Sequence, residues 1–234
     1  MIFAAGLGTR FKPWTDNHPK ALALVNGKSL LQRNIEYLQR SGITELIVNV
    51  HHFAEQIIEA IKNNNGWGSK ITISDESNEV LETGGGLKKA SWLFNNDPFL
   101  VINADVLTDL NLDKMIADYQ IKNPLAMLAV SNRKTSRYFL FDENNELCGW
   151  KNIKTGEEKI TRQKSPLVEK AFSGIHIINP RIFSLIKQEG KFSIVDVYLE
   201  LSKKETILCF DHSGSKFVDV GKSESVAIAE EMFP

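Results

Sequence analysis

Four charged side chains stand beside small or apolar residues in positions that look chosen for chemistry. Arg10 ends AAGLGTR (4–10), Lys20 follows Pro19, Asp105 ends the apolar run PFLVINAD (98–105), and Asp219 interrupts KFVDVG (216–221). Glycines directly after an apolar run let backbone N–H groups approach an anion, and successive N–H groups form a nest suited to phosphate. Arg10 can offer a planar fork to phosphate oxygens and Lys20 a point charge. For GLGTR alone, a tight turn with water-facing cations fits as well. The Pro-fixed Lys20 tips the reading toward a phosphate cradle. Asp105 falls at the carboxyl end of a strand pattern, where open α/β sheets bind ligands. With Asp219 it forms a carboxylate pair of the kind that holds Mg²⁺, whose other positions go to phosphate oxygens and water. LETGGG (81–86) places three glycines before a helical pattern, a second close-approach surface suited to a base edge or a sugar.

Other motifs carry less. GLGTRF departs from GxGxxG because Phe11 stands at the third glycine position. Gly27-Lys28-Ser29 resembles the end of a P-loop, but Leu22 occupies the earlier glycine position, which leaves a turn before a capped helix. His51-His52 has no third ligand at metal spacing and reads as structural. RKTSR (133–137) has no interleaved aromatics and reads as a solvated loop.

The elements that must position these residues alternate. IFAA (2–5) reads as the first strand. Residues 29–42 read as a helix, with Ser29 and Gln32 as a capping-box pair and Gly42 as a stop. ELIVNVH (45–51), KITISDE (70–76), PFLVINAD and LAMLAVSN (125–132) read as further strands, separated by helical patterns at 54–64, 84–94 and 112–122. Continuous apolar strands between helices predict an α/β fold with a Rossmann-like, doubly wound, mostly parallel sheet. After residue 132 the rhythm changes. A hairpin turns at 143–145, 151–170 is polar and without period (a lid or a surface excursion), and AFSGIHII (171–178) restores a buried strand. Helical patterns at 180–189 and 194–204, the strands TILCFDH and KFVDVG, and a helix at 222–233 follow. The organisation expected is one domain, 1–234, with a nucleotide-binding core over 1–132 and a smaller mixed α+β lobe with closing elements over 133–234.

Bulk properties narrow the classes. The 234 residues carry a formal net charge of −1, which gives no general field for nucleic acid or an anionic membrane. Cys148 and Cys209, far apart and outside any CxxC, read as free thiols in a reducing cytoplasm. The start lacks a signal peptide's basic region and no run reaches the ~18 apolar residues of a membrane span, so a cytoplasmic protein is expected.

In order and spacing, AAGLGTRFKPWT…PKAL, LETGGG, INAD, FSGIHI and FVDVG resemble the sugar-1-phosphate nucleotidylyltransferases over essentially the whole chain. The chain looks most like the N-acetylmuramate-1-phosphate uridylyltransferase and mannose-1-phosphate guanylyltransferase branches, without the C-terminal β-helix of longer members. The resemblance implies the nucleotide-diphospho-sugar transferase fold, Mg²⁺ as cofactor, and an NTP and a sugar 1-phosphate as substrates. It implies that Ala5, Gly6, Gly8 and Thr9 hold the triphosphate, that Arg10 and Lys20 are catalytic with Asp105, and that Asp105 and Asp219 hold the metal. Glu76, Thr83, Gly84 and Gly85 would meet the nucleotide; Asn103, Ser173, Gly174 and Lys170 would meet the sugar. Two departures stand out. Only three residues precede the alanines, which suggests a clipped first strand or a start upstream of Met1, and Glu169-Lys170 runs into Ala171 where many relatives have proline. A nucleotidyltransferase for a non-sugar phosphate such as phosphocholine and a non-catalytic nucleotide-sugar-binding regulator are the competing readings. The intact Arg10, Lys20, Asp105 and Asp219 speak against the second.

Overall fold

In the computed structural model, which describes residues 1–234, the apolar runs become strands and the 3.6-period patterns become helices around two compact units. The first unit comprises Met1–Glu82, Ile102–Leu110 and Ser215–Pro234; the second comprises Thr83–Val101 and Asn111–Gly214.

In the first unit the short strand Ile2–Phe3 lies between Glu45–Val50 and the end of Phe99–Asn103, parallel to both, with Ile2 opposite Val48 and Ile102. Lys70–Asp75 adds a further parallel strand beyond Glu45–Val50. The expected strand IFAA stops two residues early. Ile102 N–H and Ala104 N–H still donate to the Met1 and Phe3 carbonyls, but Ala4 N–H donates to the Asn49 side chain and so leaves the ladder. The expected helix after Ser29 runs Leu30–Gln39, and Ser29 Oγ accepts from Gln32 N–H at 3.1 Å. The reciprocal half of the capping box is absent, because Gln32 Nε2 donates to Glu36 instead. Gly27 serves the turn expected of it: with Asn26 it supplies the two consecutive positive φ values that join Leu24–Val25 to Lys28–Ser29. Late in the chain, Phe217–Asp219 pairs antiparallel with Val106–Thr108, placing Asp219 opposite Val106. Beneath this ribbon, Phe11, Ala23, Val25, Leu30, Leu107, Val218, Val220 and Ala229 form one buried cluster.

The second unit departs from the parallel pattern. Its sheet runs Glu157–Ile160, Leu147–Asn152, Arg137–Phe141, Val168–Ile178, Ala126–Ser131, Ile207–Asp211, and only the last pair is parallel. The expected hairpin at 143–145 is present. Within the segment 151–170, Glu157–Ile160 is an edge strand paired with Gly149–Asn152. All four of its residues are exposed, so no face carries an apolar period to read. The change of rhythm at residue 132 falls inside this unit. Cys148 and Cys209 are buried free thiols, and burial pushes Cys209 up to about 12. No β-helix is present, and no helix is long and apolar enough to cross a membrane.

The second unit's core holds a buried polar pair. His176 Nδ1 and the Tyr198 hydroxyl share a hydrogen bond, and burial lowers His176 from the ordinary 6.5 to about 3. The unfolded chain therefore takes up a proton below pH 6.5 that the folded chain refuses until about pH 3, so acidification through this window costs stability. Urea unfolding followed between pH 7 and 4 should show a steeper loss in wild type than in His176→Gln; equal slopes would contradict the buried neutral imidazole.

Candidate active site

The residues read as a phosphate cradle begin where the first strand ends. Ala5 is half-buried, Gly6 is exposed with open space around it, and Gly8 takes φ +62°. A Cβ on Gly8 would lie 2.8 Å from Thr15 Cγ2 and 3.2 Å from Lys20 Cβ, so conformation and crowding both require glycine. The Gly8 carbonyl accepts from Phe11 N–H at 2.8 Å and from the Thr15 hydroxyl at 2.9 Å. These bonds wind Thr9–Phe11 into a single 3₁₀ turn that buries Phe11 and leaves Thr9 and Arg10 exposed. Thr15 escaped the sequence reading, and its only signal was its place in FKPWT.

Lys20 opens another 3₁₀ turn after Pro19, and its Nζ pairs with Asp105 Oδ2. Their side chains are 12% and 28% exposed. Asp105 follows the strand end at Asn103, and its carbonyl accepts from Val220 N–H at 2.8 Å. The neighbouring Asp219 is thereby drawn to the same place as Asp105. Gly221 completes the cluster. A Cβ there would lie 2.8 Å from Asp219 Oδ1 and 2.9 Å from Arg10 Nη2, so the guanidinium and the carboxylate converge where only glycine fits. The structure thus brings Gly8, Arg10, Lys20, Asp105 and Asp219 together within one unit. Asn103 is half-buried at its strand end, opposite Phe3. Glu76 is 1% exposed and accepts from Asn49 Nδ2 at 2.7 Å. The His51 and His52 rings meet the carbonyls of Glu76 and Thr15, the structural use expected of them.

The remaining sequence-predicted residues lie in the second unit. Gly84 and Gly85 N–H groups both donate to the Phe192 carbonyl, at 2.9 and 3.2 Å, while Thr83 Oγ1 accepts from Ile194 N–H at 3.0 Å. This tripeptide therefore docks the start of helix Ile194–Leu201. Ser173 and Gly174 sit in a register shift of strand Val168–Ile178, Gly174 at φ +72°. Ser173 is 1% exposed, and its hydroxyl is hydrogen-bonded to His212 Nε2 at 2.7 Å. Lys170 Nζ donates to Asn132 Oδ1 at 2.7 Å and pairs with Asp211. Burial pushes the Asp211 carboxyl up, but the bonds from Lys170 and Ser213 outweigh it and hold the group below the usual carboxylate range. In RKTSR, read as solvated, Arg133 Nη2 in fact donates to the Phe172 carbonyl at 2.8 Å, which makes it part of the fold.

The family model described as nucleotidyl transferase matches residues 1–232. The chain belongs to the nucleotidyl transferase family. It is similar to N-acetylmuramate alpha-1-phosphate uridylyltransferase of Caulobacter vibrioides, with 32% identity over 86% of this chain and 83% of that one. It is similar also to D-glycero-alpha-D-manno-heptose 1-phosphate guanylyltransferase of Campylobacter jejuni, with 31% identity over 96% and 95%. Longer curated relatives are matched over 60% of their own length. Among solved structures, HddC from Yersinia pseudotuberculosis complexed with GMP-PN aligns with a TM-score of 0.78 and 25% identity, over 100% of this chain and 98% of that one.

In this nucleotidyl transferase the donor set at Asp105 and Asp219 contains carboxylates and no imidazole or thiolate, and no group of three or more such side chains gathers anywhere. Two hard oxygen donors beside a glycine loop fit Mg²⁺, which usually takes one or two protein carboxylates, and do not fit structural zinc.

The LETGGG packing has a direct test. A methyl added at Gly84 would lie 2.6 Å from Phe192 Cε2 and 2.9 Å from the Phe192 carbonyl. Gly84→Ala should lower the unfolding free energy by about 1–3 kcal/mol, the usual cost of overpacking. Adding Phe192→Ala should recover part of that loss by removing the ring while the carbonyl clash stays. Denaturant titration of the two single variants and the double variant measures the coupling.

Proposed function

We propose that this enzyme transfers a nucleoside monophosphate from an NTP to a sugar 1-phosphate, giving an NDP-sugar and pyrophosphate. The observation that carries the reading is the convergence of Arg10, Lys20, Asp105 and Asp219 on one glycine loop. The two curated relatives, a uridylyltransferase and a guanylyltransferase for sugar 1-phosphates, support the same class of substrates. Within it the pairs proposed are UTP with N-acetylmuramate 1-phosphate, or GTP with mannose 1-phosphate.

In this reading a phosphate oxygen of the sugar 1-phosphate attacks the α-phosphorus, the α–β bond breaks, and pyrophosphate leaves with its electron pair. The attacking monoester is already largely ionised at neutral pH, its second pKa being about 6, so no histidine base is required. That agrees with His51 and His52 being engaged by backbone carbonyls. The protein's task is to align two polyanions and to absorb charge at the reacting phosphorus. Gly6, Gly8 and Thr9 cradle the triphosphate, Arg10 steadies the departing pyrophosphate, and Lys20 neutralises charge around the α-phosphate. Asp105 and Asp219 would hold Mg²⁺, which when bound neutralises phosphate oxygens. Ser173, Gly174 and Lys170 serve the sugar. Thr83, Gly84 and Gly85 serve the nucleotide through the surface they frame, since the N–H groups of both glycines are committed to Phe192.

A grid of the common ribonucleoside triphosphates against N-acetylmuramate, mannose and glucose 1-phosphates, with phosphocholine as the non-sugar arm, tests the reading by pyrophosphate release. One sugar 1-phosphate should react best, with turnover lost on chelation by EDTA and restored by Mg²⁺. Asp105→Ala should lower kcat by about two orders of magnitude or more, as expected when transition-state charge stabilisation is removed. Full turnover in that variant would reject the site, and preference for phosphocholine would reject the acceptor class.

A further inference from the structure

The central strand of the first unit is ended by a side chain. Ala104 N–H completes the ladder on the Phe3 carbonyl at 3.0 Å, but Ala4 N–H donates to Asn49 Oδ1 at 2.8 Å. Asn49 stands opposite Phe3 in the parallel register and is 2% exposed. Its amide nitrogen donates to Glu76 Oε1 at 2.7 Å. The backbone of Glu76 is itself held, its N–H donating to the Val50 carbonyl at 2.8 Å and its carbonyl meeting His51 Nδ1 at 2.7 Å. A backbone N–H can only donate, so Ala4 turns the Asn49 oxygen toward itself and the amide nitrogen toward Glu76. Were the amide reversed, NH₂ would oppose N–H at Ala4. That mismatch would be buried, where unpaired polar groups cost most. Ala4 is the last residue before the loop Ala5–Arg10, so the bond that orients Ala4 also sets the direction in which the loop leaves the sheet.

We infer that Asn49 is a positioning residue for the glycine loop, held in orientation by Glu76, and that nucleotide recognition depends on this buried amide without touching it. The inference rests on the proposed reading of the loop as the triphosphate cradle. It gives Glu76 a role different from reading the base: its carboxylate acts on the loop through Asn49.

The test pairs Asn49→Leu, which keeps approximate volume and removes both hydrogen bonds, with Glu76→Gln, which can still present an oxygen to the Asn49 amide. In Asn49→Leu the KM for the NTP should rise about tenfold, the effect of one buried donor left unsatisfied. The KM for the sugar 1-phosphate should stay within twofold of wild type, and Glu76→Gln should stay close to wild type in both. Amide hydrogen exchange on the ligand-free proteins gives a second readout. Residues 4–10 should exchange faster in Asn49→Leu, with the helix Leu30–Gln39 unchanged. Should the leucine variant fail to fold, Asn49→Ala carries the same measurements. A variant that melts earlier while keeping wild-type KM for the NTP and wild-type exchange over 4–10 would overturn the inference. So would a Glu76→Gln variant as impaired toward the NTP as Asn49→Leu, because that places Glu76 on the nucleotide directly. If wild type released no pyrophosphate from any substrate pair, the functional reading would fail while the exchange comparison still decided the role of Asn49.

Discussion

Everything in the first unit serves one demand, that positive and negative side chains be held close together without cancelling their use. The pair Lys20–Asp105 shows the difficulty. Both groups are mostly withdrawn from water, and either one alone there would bear an uncompensated desolvation cost. Arg10 and Asp219, both exposed, converge beside Gly221. Such a cluster holds only if the backbone carrying each charge is fixed independently of the charges. The Gly8 carbonyl with its two donors, the 3₁₀ turn at Lys20–Leu22, and the Val220–Asp105 backbone bond supply that fixation. A preformed set of opposite charges suits an incoming polyphosphate, because little reorganisation is left for the moment of reaction.

Much of this was legible in the residues. Glycine at 8, the cations at 10 and 20 and the acids at 105 and 219 were identified from residue type and neighbours, and the structure gathers all five. The four charges could be read because each breaks a local rule, a charge placed in or beside an apolar run, and Gly8 because it stands in a glycine pair directly after one. Most elements were legible for the complementary reason, since strands covered on both faces leave uninterrupted apolar runs.

What escaped reading has physical causes. Glu157–Ile160 has two solvated faces and so carries no alternation. The two-residue first strand ends through a hydrogen bond to a residue far along the chain, which no local window contains. The glycines of LETGGG were read as an approach surface for a ligand, yet at Gly84 the closest approach is made by Phe192 of the protein itself. From sequence those two uses of glycine look alike. Ser173 was legible as special, but the cause visible in the structure is a register shift and a buried partner, His212.

The ribbon Phe217–Asp219 has a consequence for how the molecule is made. The first unit is assembled from three separated stretches of chain, and the ribbon that brings Asp219 to Asp105 belongs to the last of them. A chain emerging from the ribosome can pair its parallel strands and close the Lys20–Asp105 contact well before Phe217 has been synthesised. The second carboxylate arrives only once Phe217–Asp219 has emerged, long after Asp105. Until then Arg10 lacks its convergent anion, and the apolar surface destined for Val218 and Val220 stays open. Assembly of this site is thus coupled to synthesis of the stretch Ser215–Pro234, with a window before it in which an exposed apolar face needs protection from aggregation.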